Sequence, residues 1–294
     1  MPLIPGVIVF GSPRRARRCA GAFYCCAGGF YNQPAQGQLP AGLRCAGGFY
    51  KCSLQFMASL YAGTSGFAYP AWKPDFYPPK LAQKDFLKHY ATRLNAVEIN
   101  YTFRQLPSST ALENWMNATP EGFVFALKAH MRITHLLRLK ESEFTQVFFR
   151  AIDPLRVTRR LGPVLFQLPP NFKAEPATLA AFLEKLPPDI RCAFEFRNAT
   201  WLTDEVYRLL EKHSIALCLA ESEKFEVPEI LTAPFVYVRL RKPDYSAEDR
   251  AEIAQRARRL LDGTGDAGGR DVYAFFKHEE TPAGAIYAED LLRK

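Results

Sequence analysis

The stretch "RCAFEFR", residues 191–197, places Cys192, Phe194 and Phe196 on one parity and Glu195 and Arg197 on the other. Successive side chains of a strand point to opposite faces. One strand here therefore offers an apolar face to one layer and a carboxylate with a guanidinium to another. That combination fits a strand of a closed parallel barrel. Its outer face packs on helices, and its inner C-terminal end carries functional groups.

The same parity recurs along the chain. In "AVEINY" (96–101), Val97, Ile99 and Tyr101 take the helix side and turn Glu98 and Asn100 inward. "FVFALKAH" (123–130) sends Phe123, Phe125 and Leu127 outward and leaves Lys128 and His130 on the inner parity. "VLFQL" (164–168) turns Gln167 inward, and "FVYVRL" (235–240) turns Arg239 inward opposite Val236, Val238 and Leu240. Five strands thus aim polar groups at one end of one cavity.

Strands are expected near 61–66, 96–101, 123–129, 163–168, 191–197, 215–220, 235–241 and 271–276, alternating with amphipathic helical stretches. From Met57 to Lys294 the chain has 238 residues, close to the roughly 250 typical of one (β/α)₈ barrel. The helices carry start signals. Thr110-Ala-Leu-Glu113 fits a capping box, and Thr203 precedes first-turn acids Asp204 and Glu205. Arg256, Arg258 and Arg259 read as a solvated helix face, since Glu248, Asp249 and Glu252 offset them.

Residues 1–56 differ in kind. They hold five of the seven cysteines, repeat Cys-Ala-Gly-(Ala/Gly)-Phe-Tyr three times, and contain no acidic residue. Six of the 38 basic residues lie there, so the remainder carries 32 against 30 acids, a net +2, and lacks the charge excess of a nucleic-acid binder. Cys19, Cys25, Cys26, Cys45 and Cys52 form no paired Cys-x₂₋₄-Cys knuckle and have no histidine nearby, so they define no standard zinc site. "LIPGVIVF" precedes the arginines, opposite to a secretory signal, and is too short to span a membrane. The segment reads as an unstructured or non-native extension ahead of a barrel domain at 57–294.

The polar cluster admits two readings. Buried charges are costly unless paired or used by a ligand, so it is either a self-satisfied ion-pair network closing the barrel or a binding and catalytic site. Gly63-Thr64-Ser65-Gly66 lacks the Walker lysine and the GxGxxG spacing, and reads as close backbone packing or a source of N–H groups. Trp72, Phe76 and Tyr77 either form a stacking platform at the mouth or cap the core. His89 and His213 read as surface residues. No G-x-S-x-G or H-E-x-x-H is present. Glu98, Glu195 and a histidine allow a divalent metal in principle, but three nearby cations argue against one.

The chain from about Tyr61 to Lys294 resembles the YecE-like family, the domain of unknown function 72. The matching stretches, in family order, are "GTSGFAYPAWKPDFYP", "VEINYTFRQLP", "PEGFVFALKAHMRITHLLRL", "LGPVLFQLPPNF", "FEFRNATW" and "FVYVRL". The resemblance implies a TIM barrel and brings no known reaction. Its recurring polar residues fall on Glu98, Asn100, Lys128, Thr134, His135, Gln167, Glu195, Arg197, Trp201 and Arg239. Two departures alter the last quarter of the site. The family's seventh strand usually continues Arg-Leu-His-Gly, where this chain has Arg239-Leu240-Arg241-Lys242; its eighth usually ends Phe-Asn-Asn, where this chain has Phe276-Lys277-His278.

These readings give an expectation of an enzyme acting on a small phosphorylated or carboxylated substrate at the barrel mouth. Glu195, Glu98 and His135 are the candidate catalytic residues; Lys128, Arg197, Arg239, Asn100, Gln167 and Trp201 are the candidate binding residues. The alternative is a non-catalytic protein that recognises a nucleotide or nucleic-acid end. No cofactor or metal and no membrane partner is assigned. Cys192 is expected on the helix side and Cys218 in the interior, and these lone thiols fit a reducing cytoplasm.

Overall fold

The computed structural model describes residues 58–263 and 268–294. The expectations for residues 1–56 lie outside this range. Eight strands run in chain order: β1 (Leu60–Thr64), β2 (Ala96–Ile99), β3 (Val124–Lys128), β4 (Leu161–Gln167), β5 (Cys192–Glu195), β6 (Ala216–Ala220), β7 (Phe235–Leu240) and β8 (Asp271–Phe276). All paired neighbours are parallel, in the order β1-β8-β7-β6-β5-β4-β3-β2. Between and after them lie α1 (Phe86–Tyr90), α2 (Ser109–Asn117), α3 (Glu143–Val157), α4 (Pro176–Leu183), α5 (Asp204–Lys212), α6 (Ala247–Asp262) and α7 (Ala283–Arg293). This is the (β/α)₈ barrel expected from the sequence.

Strand parity sorts the core into two clusters. Val97, Ile99, Phe125, Leu127, Cys192, Phe194, Val236 and Val238 join the helices in the outer layer. Ala96, Ala126, Leu165, Ala193, Cys218, Phe235, Tyr237, Tyr273 and Phe275 fill the inside of the barrel. Both remaining thiols are buried and free, Cys192 outside the barrel wall and Cys218 within it. Small alanines on β2, β3, β5 and β6 make room for the large rings of β7 and β8, as close packing of a narrow barrel requires.

The ring closes differently at one joint. Between β1 and β2 the only strand-type bridge pairs Ser65 with Glu98, with Gly66 N–H donating to Glu98 O at 2.8 Å. Below it, side chains span the two strands. Tyr90 Oη accepts from Thr64 N at 2.8 Å and donates to Ala96 O at 3.0 Å, while the Asn95 amide accepts from Ala62 N and donates to Leu60 O. Gly63 is required at this seam, because a Cβ there would lie 1.9 Å from Ala96 O.

Several local expectations change. The α2 cap is Ser108, whose hydroxyl accepts from Ala111 N, two residues ahead of the expected Thr110. Thr203 caps α5 as anticipated, and α6 carries a capping box between Ser246 and Asp249. Trp72, Phe76 and Tyr77 are buried, with Tyr77 stacked on both Trp72 and Phe86 and Phe76 edge-on to Trp72 and Tyr77, so they cap the core and offer no platform to a ligand. His89 and His213 are half-buried, and His89 Nε2 lies 3.0 Å from Phe76 O. On α6, Arg256 and Arg259 both pair with Glu229. Among the described residues, no helix is long and apolar enough to cross a membrane.

Candidate functional site

The C-terminal ends of β1, β2, β4, β5 and β7 meet around one guanidinium. Arg239 is 1% exposed. Its Nη1 donates to Glu195 Oε2 at 2.5 Å, and its Nη2 donates to Glu98 Oε1 at 2.8 Å and Ser65 Oγ at 3.1 Å. Glu98 also accepts from the Ser65 hydroxyl and, at 2.7 Å, from Tyr237 Oη. Glu195 Oε2 accepts a further bond from Gln167 Nε2 at 2.8 Å. Both carboxylates are buried and satisfied, which is the condition for keeping such charges in a barrel.

Electrostatics fix their roles. Burial pushes the Glu195 carboxyl up, but Arg239, Arg241, the Gln167 hydrogen bond and Arg197 outweigh it and hold the group at about 2. Such a carboxylate is a poor proton acceptor at neutral pH. The expectation of proton transfer by Glu195 is therefore revised to holding and orienting cations. Glu98 is enclosed by Ser65, Arg239 and Tyr237 and is fully buried, where it pairs with Arg239. Arg239, expected to grip a substrate anion, has two hydrogens committed to carboxylates deep in the barrel.

Above this base sits a rim of cations. Glu195 Oε1 faces Arg241 Nη1 at 3.2 Å and Arg197 Nε at 3.5 Å, and these two side chains keep 20% and 36% of their surface exposed. Lys128 ends β3 half-buried, with Nζ over the Phe103 ring at 4.2 Å from its centroid. Burial and the charges of Arg239 and Arg197 lower its pKa to about 8 against the opposing pull of Glu98 and Glu195. Phe103 is placed by the turn Tyr101–Phe103, whose Thr102 Oγ1 donates to Lys128 O at 2.7 Å. Asn100 precedes that turn and is half-buried.

His135 lies on a π-helical turn, Arg132–Leu136, a geometry that often marks function. Its Nδ1 is 2.9 Å from Thr134 Oγ1, and its ring meets that of Phe103 edge to face at 5.0 Å. Burial, Lys128 and Arg197 lower its pKa, so the imidazole is neutral at pH 7.

Two residues chosen from sequence lie apart from the cluster. Trp201 is fully buried, stacks on Phe196 and donates Nε1–H to Phe172 O at 2.8 Å, which makes it a packing residue of the outer layer. His130, on the inner parity by sequence, follows the end of β3 and turns to pack on Phe144 with Nε2 3.1 Å from Arg104 O. Ser65, Phe103, Tyr237 and Arg241 were not selected. Tyr237 had a usable signal, since it shares the inner parity two residues before Arg239. Arg241 had one in its departure from the family pattern.

Among the described residues no group of three or more His, Cys, Asp or Glu is arranged to hold a metal. A cavity at the opposite, N-terminal end of the barrel is lined by Arg156, Arg159, Arg191 and Asp271 among others. There Arg191 is tied to Asp271 and Tyr273.

The fold and this cluster define a (β/α)₈-barrel protein with a charged base and a cationic rim at its C-terminal mouth. The sequence profile of the family described as "Protein of unknown function DUF72" matches residues 61–294, and the chain belongs to that family. It is 30% identical over 155 residues to the UPF0759 protein YunF of Bacillus subtilis (strain 168); the match takes in 50% of this chain and 54% of that protein, so the chain spans about half the length of this curated relative. Among solved structures, a DUF72 family protein from Thermotoga maritima MSB8 superposes with a TM-score of 0.67 at 28% identity, covering 80% of this chain and 98% of the other. A DUF72 family protein from Enterococcus faecalis V583 shares the fold, with a TM-score of 0.61 at 17% identity over 81% of this chain and 98% of its own.

Proposed function

We propose that the barrel mouth binds a small phosphorylated or carboxylated metabolite and acts on it as an enzyme. The observation that carries this reading is the rim. Arg197 and Arg241 share one oxygen of Glu195 and remain partly exposed, so two guanidinium groups, each with five N–H donors, have most of their hydrogens uncommitted. Their planar forks match carboxylate and phosphate oxygens. Four cations, Lys128, Arg197, Arg239 and Arg241, surround two carboxylates in the network, and an anion completes the balance. Neutral His135, beside Lys128, is the group suited to accept a proton from such a ligand.

The alternative, recognition of a nucleotide or nucleic-acid end without chemistry, drew on loop aromatics at the mouth. Burial of Trp72, Phe76 and Tyr77 removes that support. The free thiols Cys192 and Cys218 are consistent with a cytoplasmic location.

Thermal unfolding of the full chain in inorganic phosphate tests the reading. Phosphate at 100 times its Kd contributes about 2.7 kcal/mol, a rise of roughly 5–10 °C for a domain of this size. Arg197→Met with Arg241→Met should abolish the rise. An equal response in both proteins, or none in the native one, would overturn it.

A further inference from the structure

We propose that the Lys128 amine is a covalent group, condensing with the carbonyl carbon of a small anionic aldehyde or ketone to form an imine at the barrel mouth. The substrate's negative charge rests on the anion-binding reading above; the nucleophile rests on observations of its own.

The first is position. Lys128 is the last residue of β3, at the end of the barrel where reacting groups gather. The second is the absence of a partner. Every other cation of the cluster pairs with Glu98 or Glu195, whereas among the described residues Lys128 Nζ has neither a hydrogen bond nor an ion pair and rests on the face of Phe103. A lysine serving structure would be expected to reach a carboxylate. The third is its electrical surroundings. Arg239 on β7 and Arg197 after β5 disfavour the ammonium, Glu98 on β2 and Glu195 on β5 favour it, and burial tips the balance toward the free amine, which is populated just above neutral pH. The aromatic face partly supports the cation, but it also holds the side chain in place for attack. Amines desolvated beside other cations are the ones that act as nucleophiles near neutral pH.

The chemistry closes with the groups present. The Lys128 nitrogen lone pair attacks the carbonyl carbon, and the carbonyl π pair moves to oxygen. His135, whose ring also packs on Phe103, takes one proton from the nitrogen and passes it to that oxygen, giving a neutral carbinolamine. The second nitrogen proton follows the same route as the hydroxyl departs as water and the nitrogen lone pair forms C=N. One C=O is exchanged for one C=N with release of water, and nothing is oxidised or reduced. Arg197 and Arg241 are placed to hold the substrate's anionic end.

The test uses two probes on the full chain, pyridoxal 5′-phosphate and pyridoxal, each at substoichiometric concentration. Borohydride then reduces any imine to a stable secondary amine, and peptide mass mapping locates it. Lys128 should carry at least ten times the label of any other lysine, its labelling should rise as pH passes through about 8, and Lys128→Met should lose that adduct. Lys128→Arg provides a second variant that keeps charge and length. Label spread evenly over the lysines, or unchanged in both variants, overturns the proposal. Preferential labelling of Lys128 by pyridoxal without any advantage from the phosphate supports the imine and removes the anion reading. A phosphate-dependent melting shift with no adduct at Lys128 does the reverse.

Discussion

Arg239 Nη2 lies 2.8 Å from Glu98 Oε1 across the inside of the barrel, joining β7 to β2. Its other terminal nitrogen reaches Glu195 on β5, so one guanidinium ties together three strands that are not neighbours. Removing one member of such a buried pair costs roughly 3–5 kcal/mol, because the other is left charged and unpaired. Glu98→Gln and Arg239→Met should each lose that much in denaturant unfolding, and the double variant should lose less than their sum. Additive losses would show that the pair is not coupled.

Acid should find Glu195. Its pKa is about 2 in the folded chain and near the ordinary value of about 4.3 when unfolded. The unfolded state therefore binds the proton first as pH falls. The stabilisation is fully present above the unfolded value and is lost as pH drops toward 2, by about 3 kcal/mol over that window. Unfolding followed between pH 6 and 2 should show a steeper loss in the native chain than in Glu195→Gln. Parallel curves would contradict the assignment.

Lys128 should behave in the opposite sense. Its folded pKa is lowered to about 8 from an ordinary 10.5, so folding is opposed while the amine is charged and stability is regained as pH rises from 8 toward 10. Lys128→Met should gain roughly 1–2 kcal/mol at pH 7 and lose this alkaline increase. A stability loss at pH 7 would mean that the ammonium is held by contacts stronger than its desolvation.

The seam between β1 and β2 predicts two strong effects. Tyr90→Phe leaves Thr64 N–H and Ala96 C=O buried without the hydroxyl that joins them. Each such loss costs about 1–3 kcal/mol. Gly63→Ala forces a methyl into Ala96 O and should cost as much or more. Amide exchange at Thr64 should accelerate in Tyr90→Phe while that at Phe194, inside the ladder, should not.

Strand positions were legible to within a residue or two, because parallel strands buried on both faces read as short apolar runs between turn residues. Parity then located Glu98, Lys128, Gln167, Glu195 and Arg239, since a polar residue inside such a run has no apolar reason to be there. Parity failed where the strand stopped. His130 lies beyond the end of β3. Trp201, which the family resemblance and not parity brought in, lies in a turn after β5. The roles need distances as well. A sequence shows that Arg239 and Glu195 face inward, but only distances show that they satisfy each other, leaving Arg197, Arg241 and Lys128 as the groups with capacity to spare. The side-chain rungs of Tyr90 and Asn95 were illegible, because neither residue belongs to a strand.

Those rungs give the barrel a buckle. Seven joints are sewn by backbone ladders; the eighth has a single backbone bridge at Ser65 and Glu98 and, below it, only a hydroxyl from α1 and one amide. Breathing motions take the route of least local stability, so a lift of α1 would unfasten the hoop at one chosen place. That place runs up to Ser65 and Glu98, in the buried base of the site. Fraying of the ring would then begin beside the carboxylate that Arg239 holds.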